Sequence, residues 1–452
     1  MLVPRLIFPF FLAITGLFCW SQMLTASPTS AGTPLDRPHE AIVLPGAAFA
    51  DWLGIPLEEL ALYRYHQDGW EPVLFQLDEV DELGSYVAPG DGLLGAADEL
   101  VFMGVDSGDW VTPTFWISDS HALLHPRYVI TITDPLDGAA SGWVYLYRSS
   151  TLPRAGHSYV SWDETTQTIT GVAYSLAFTP DQFLGIAAIY LNDQPQDVLD
   201  RQKLRAEATV YAFGFPIDTI TINEEEILDY LAEPVSLTLP ITGPVRAIGK
   251  SGVQQVAFYG RQAQIEVALP VSEQPVPGLP NTTARLTGLR LSLDLADPLA
   301  SGLAPATYYD SNLVTGVAVD GIPDSVPSQP LVNWQQIDGA AGGFVSLLHV
   351  TVTSGQTATF YRDDSTFDPN DTGDGRSYGD AGFRVTNPDG LLEVNSRLYF
   401  LPGQQGRQGE QIAAQAANPL QSSIGRQLPP GPPDPPSPGL RLLFLPLISS
   451  GG

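Results

Sequence analysis

A single cysteine, Cys19, in 452 residues excludes an internal disulfide framework and any cysteine-rich zinc or iron–sulfur centre. Cations are scarce as well. Lys and Arg number 21 against 50 Asp and Glu, a formal net charge of −29. Charge of that sign repels phosphate backbones and excludes a general nucleic-acid binder. The six histidines are scattered. Beyond the N-terminus there is no apolar run of the roughly 20 residues that a membrane-spanning helix needs. What is present is a chain with 44% hydrophobic and 10% aromatic residues, enough to bury real cores. Its 43 Gly and 40 Pro cut it into short segments. The length suits about two or three domains.

Residues 1–26 read as a secretory signal peptide. Arg5 is followed by an apolar stretch from Leu6 to Trp20 and then by Thr25, Ala26 and Ser27. That order is the export pattern. Cleavage is expected after Ala26, or alternatively after Ala31. Phe18 precedes Cys19, where a lipoprotein signal places a small residue. Removal of this segment takes away Cys19 and leaves a mature chain without cysteine and without a transmembrane span.

The body reads as all-β, in antiparallel β-sandwich domains with very few short helices. Leu60–His66 and Trp70–Leu77 flank Gln67-Asp68-Gly69, a hairpin signal. The segments 128–133 and 143–147 are rich in β-branched and aromatic residues, and similar runs recur to residue 400. Helix is expected over 224–232, with Asn223 as N-cap, three glutamates in the first turn and Pro234 beyond the end. A weaker helix is expected over 196–205. The expected organisation is a linker at 27–40, an N-terminal β domain at 41–155 and a larger β-sandwich at 156–400, alternatively a supersandwich. A Gln/Gly/Ala-rich linker at 401–428, a Pro-rich spacer at 429–438 and a short apolar tail at 439–452 follow. This layout resembles that of exported bacterial surface proteins, which implies a secreted or cell-surface location.

Three motif matches fail on context. Gly90-Asp91-Gly92-Leu93-Leu94-Gly95 fits G-x-G-x-x-G but follows Pro89, carries a carboxylate where phosphate belongs and lacks the flanking strand and helix. Gly375-Arg376-Ser377-Tyr378-Gly379 fits G-x-S-x-G, yet an expected strand follows the serine instead of a helix. His121 and His125 have i, i+4 spacing, but Ala122 stands where a metalloprotease needs its general-base Glu. No catalytic residue is assigned.

The carboxylates concentrate in two Gly-Asp-Gly regions, 78–109 and 363–380. Calcium takes six to eight oxygen ligands from such loops. Asp368, Asn370 and Thr372, with Gly373 after them, match the opening of an EF-hand loop; Asp374 and Asp380 complete a candidate calcium set. Asp91 and Asp98 form a weaker one. The functional expectation is an exported binding or adhesion module for carbohydrate or another surface component, with aromatic residues such as Trp52 or Trp334 available for stacking on sugars. The alternative is a secreted carbohydrate-active enzyme, a glycosidase or a polysaccharide lyase.

Overall fold

The structure is a computed structural model that describes residues 29–30 and 35–431, apart from 68, 181, 183–184, 229–235, 253 and 277. The signal-like segment, Cys19 and nearly all of the Pro-rich run and apolar tail lie outside the described residues. What is described is an all-β sandwich protein built from antiparallel sheets. No helix among the described residues is long and apolar enough to cross a membrane.

The N-terminal body pairs a three-stranded sheet (Ala41–Pro45, Glu99–Met103, Phe75–Asp78) with a five-stranded one. Alternation of large apolar residues drives this. Leu60, Leu62, Phe102, Ile130, Ile132, Val144 and Leu146 all point into one buried core, as the two-residue period of a strand requires. The expected hairpin is present as Leu60–His66 and Gly69–Pro72. Pro72 marks the end of the second strand, since it has no N–H to continue a ladder.

The larger body joins a four-stranded sheet, spanning residues 161–191, to a sheet of thirteen strands. Tyr174, Leu176, Ile189, Phe258, Tyr308, Phe344 and Phe400 fill the core between them. Two strands run unusually long: Gly343–Asp364 and Ser377–Leu401. They pair along nearly their whole length, through register shifts around Ser354 and Gln356.

Two expectations are corrected. The 196–205 helix does not form; most of it belongs to the strand Leu199–Ala212, which is paired on both sides. Over 199–204 the ladder with Thr282–Leu295 holds the backbone extended; the second ladder, with Phe215–Asn223, begins at Arg205. The helix expected over 224–232 is present as Glu224–Leu228, and 229–232 lie outside the described residues; Asn223 Oδ1 accepts the amides of Glu225 and Glu226, and Glu226 reaches back to the Asn223 amide. This is a capping box. The second correction concerns 401–428, which is structured and not a linker. Its helix Gly409–Ala417 lays Ile412 against Trp334, and buried Gln336 accepts the amides of Gln408 and Gly409 at 2.8 and 3.0 Å. The strand Gln421–Gln427 then pairs with Arg127–Asp134, completing the N-terminal sheet.

The expected boundary near residues 151–156 is bridged by a buried contact. Arg246 of the larger body meets Asp78 at 2.7 Å and also Glu99, while the Gln76 side-chain oxygen accepts the amides of Val245 and Arg246, both at 3.0 Å.

Candidate functional site

Four neighbouring strands of the large sheet carry the candidate site: Leu199–Ala212, Thr282–Leu295, Ser377–Leu401 and Gly343–Asp364. Their register places Arg205 opposite Arg290 and Arg290 opposite Arg384. Directly opposed residues share a face, so three arginines stand in a row across three strands. Like charges so placed repel one another. In a chain with 50 acids and 21 bases, composition alone does not account for such a row.

Counter-charges hold one end of it. Arg205 reaches Glu224 and Asp371 and donates to Thr372 Oγ1 at 2.8 Å. Arg362 approaches Asp371 at 3.4 Å. Further along the same face, fully buried Lys203 places Nζ 2.6 Å from Asp294, 3.0 Å from Asp371 and 3.1 Å from the Arg376 carbonyl. The 363–380 loop is thereby clamped over the sheet. Burial opposes the charged form of Asp371, but hydrogen bonds from Lys203 and Arg205 outweigh it and hold its carboxyl below the usual range.

The other end of the row stays open. Arg205, Arg290, Arg362 and Arg384 line a cleft of about 480 Å³ together with Glu207, Asp368, Asn370, Asp371 and the threonines at 221, 287 and 386. Arg290 stacks on Phe360 at 4.3 Å and lies 4.0 Å from Asp380, and its Nε has no hydrogen-bond partner among the described residues. Arg384 is exposed and donates to Ser328 at 3.4 Å. The cleft offers planar donors for anionic groups, and hydroxyl, amide and carboxylate groups for a hydroxylated ligand.

The expected calcium residues do not converge on one point. Asp368 accepts the Asn370 amide at 2.9 Å and Asp374 the Arg376 amide at 2.8 Å. Thr372 donates to Glu224. Asp380 is wholly buried on the sheet beneath the loop. In the first acidic region, Asp91 accepts the Leu93 amide at 2.8 Å, and Asp98 accepts those of Val80 and Gly95 at 3.0 and 2.6 Å. These carboxylates bind the backbone of their own or neighbouring loops. Among the described residues no group of three or more His, Cys, Asp or Glu is placed to hold a metal ion.

Sequence reasoning missed Lys203, Arg205, Arg290 and Asp371, and also Asp200. Asp200 accepts the Asp374 amide at 3.2 Å. Burial, and then the charge of Asp374, push its carboxyl up to about 6. The native chain therefore keeps a proton that the unfolded chain gives up near pH 4. This contribution to stability is full below about pH 4 and is lost as pH rises through about 6. Asp200→Asn is expected to flatten that slope and to add about 1 kcal/mol at neutral pH, discounted for partial solvent screening. Urea unfolding of both chains across this pH range measures it.

The remaining motif residues are accounted for structurally. Ser377 is wholly buried in a strand, which is unlike an exposed nucleophile. His121 contacts Ser150 at 2.9 Å on an exposed surface, but Asp119 bonds Ser149, Thr151 and the Ala122 amide, not the imidazole. Trp52 and Trp334 are buried, and Trp70, Trp116, Trp143 and Trp162 pack against the cores. The chain matches no known family model and no curated protein.

Proposed function

We propose that this protein is an exported or cell-surface binding module whose arginine cleft takes an anionic carbohydrate, a chain bearing carboxylate or sulfate groups. The observation that carries the reading is the in-register row Arg205, Arg290 and Arg384, left open at Arg384. Arginine forks match planar anions bidentately, while the threonines, Asn370 and the lining carboxylates suit sugar hydroxyls. A bare inorganic anion needs no such mixed lining.

Binding without turnover is favoured over catalysis. The cleft's central carboxyl, Asp371, is held in its charged form by Lys203 and Arg205, so it is a poor general acid. The lining includes no histidine or tyrosine among the described residues. A panel of acidic and neutral polysaccharides, screened for retention and for release of reducing or unsaturated ends, tests both readings. Retention of acidic chains without product supports the module; product formation would establish the enzyme in its place.

Calcium in the 363–380 loop is a subsidiary proposal, supported by the repulsion between Asp200 and Asp374 that a divalent ion would relieve. It predicts a higher Tm with calcium and a lower one with EDTA. No shift at saturating calcium ends it.

A further inference from the structure

Beneath the clamped loop lies a group of charges with more carboxyls than cations. Lys203 and Asp294 are both wholly shielded from solvent, and Nζ lies 2.6 Å from Asp294 Oδ2. They belong to adjacent antiparallel strands. Lys203 stands opposite Ser292, and Asp294 sits in the register shift between Leu293 and Leu295. A shift of this kind re-aims a side chain. On the next strand over, Asp380 is also wholly buried, and neither of its carboxylate oxygens has a hydrogen-bond partner among the described residues. Arg290, at 4.0 Å, is its ion partner. A bare carboxylate in such a place is costly. Burial pushes the Asp380 carboxyl up against the pull of Arg290 and Lys203, and burial with the charge of Asp380 pushes Asp294 up. Register sets Asp380 next to Asp294, between the pairs Leu293–Ala381 and Leu295–Tyr378, so a third buried carboxyl flanks the contact of Lys203 with Asp294, an arrangement suited to condensation and not only to ion pairing.

We propose that Lys203 and Asp294 condense to an intramolecular isopeptide bond, with Asp380 as the acid–base group. The ammonium proton passes to the Asp294 carboxylate across their short contact. The Nζ lone pair then forms a bond to Cγ. Asp380 takes a proton from the nitrogen and returns one to a carboxyl oxygen, and the Cγ–O bond breaks as one water leaves. Asp380 ends as it began, and no oxidant, reductant or co-reactant is consumed. Fixing both groups in contact removes the entropic barrier to their meeting, and exclusion of bulk water opposes the reverse hydrolysis. Burial disfavours the lysine ammonium, yet Asp294 and Asp380 outweigh it and raise the Lys203 pKa. The free amine is a minor species, so bond formation is a slow, single event in the life of each chain. The bond would staple two of the strands that carry the arginine row, in a chain whose one cysteine cannot form an internal disulfide.

Mass spectrometry of the denatured full chain, with a proteolytic map, tests this. The expected result is a mass about 18 Da (one water) below that of the unlinked chain and a branched peptide joining the segments around 203 and 294. Asp380→Asn and Lys203→Arg are each expected to restore the full mass. Separate, unmodified 203 and 294 peptides from long-incubated folded protein overturn the proposal, as does a water loss mapped to an Asp-Gly succinimide such as Asp374-Gly375. A wild-type extent of linkage in Asp380→Asn overturns the role of Asp380. The wild-type map decides the bond itself, whether or not a variant folds.

Discussion

Relative to the chain in which Lys203 and Asp294 are not yet linked, Lys203→Met is expected to lower stability by about 3–5 kcal/mol, the cost of removing one partner from a buried charge pair. Lys203 touches Asp294, Asp371 and the Arg376 carbonyl at once, with no solvent access. Methionine fills much of the volume but leaves Asp294 and the Arg376 carbonyl without their cation, and Asp371 with only its arginines. The sign of the pH dependence follows. Asp294 and Asp380 already have raised pKa values, so their contribution is greatest below the ordinary carboxyl pKa and is lost as pH rises through their folded values. Without Lys203 these values rise further. Asp371, held low by hydrogen bonds from Lys203 and Arg205 against its own burial, contributes above the ordinary carboxyl pKa, and that contribution shrinks. The deficit of the variant is therefore largest at neutral pH and narrows as pH falls toward about 4. Urea denaturation at matched pH values measures it. A neutral-pH loss under 1 kcal/mol would contradict the clamp.

Arg384→Glu is expected to weaken binding of an acidic polysaccharide at least about tenfold, or about 1.4 kcal/mol, while leaving the fold intact. Arg384 is the exposed end of the arginine row and makes one long hydrogen bond, to Ser328. Its loss removes an attractive contact, and the new carboxylate adds a repulsive one. Arg290→Ala is a less clean variant, since it also uncovers Asp380 and Phe360. The protein's −29 charge opposes any anionic polymer at long range. At about 0.15 M salt that field is screened beyond roughly 8 Å, so arginine contacts within the cleft decide the outcome. Circular dichroism and thermal melts should match the wild type.

The β class was legible because strands such as 128–133 and 254–259 carry their own β-branched and aromatic signature. The two long strands were not. Ser354-Gly355-Gln356 and Asn387-Pro388-Asp389-Gly390 read as turns, yet the sheet absorbs them, with irregular pairing and positive φ at Gly355, Asn387 and Gly390. The 401–428 segment was missed because its apolar signal rests on a few residues: Ile412, which docks on Trp334, and Ile424, opposite Ile130 in the new ladder. The arginine row was invisible for a different reason. Arg205, Arg290 and Arg384 are 85 and 94 residues apart in sequence, and only strand register brings them together. The EF-hand spacing drew attention to Asp368, Asn370, Thr372 and Asp374. Asp371, the residue between them, makes the central ion pairs.

The most direct test of the arginine cleft is a binding titration at near-physiological salt with one polysaccharide in two forms, a polyuronate and its carboxyl-reduced neutral counterpart. The account predicts binding of the polyuronate, weakening as salt is raised further, loss of that binding in Arg384→Glu, and no binding of the neutral form. Equal affinity for the two forms, or a polyuronate affinity unchanged in Arg384→Glu, would contradict it.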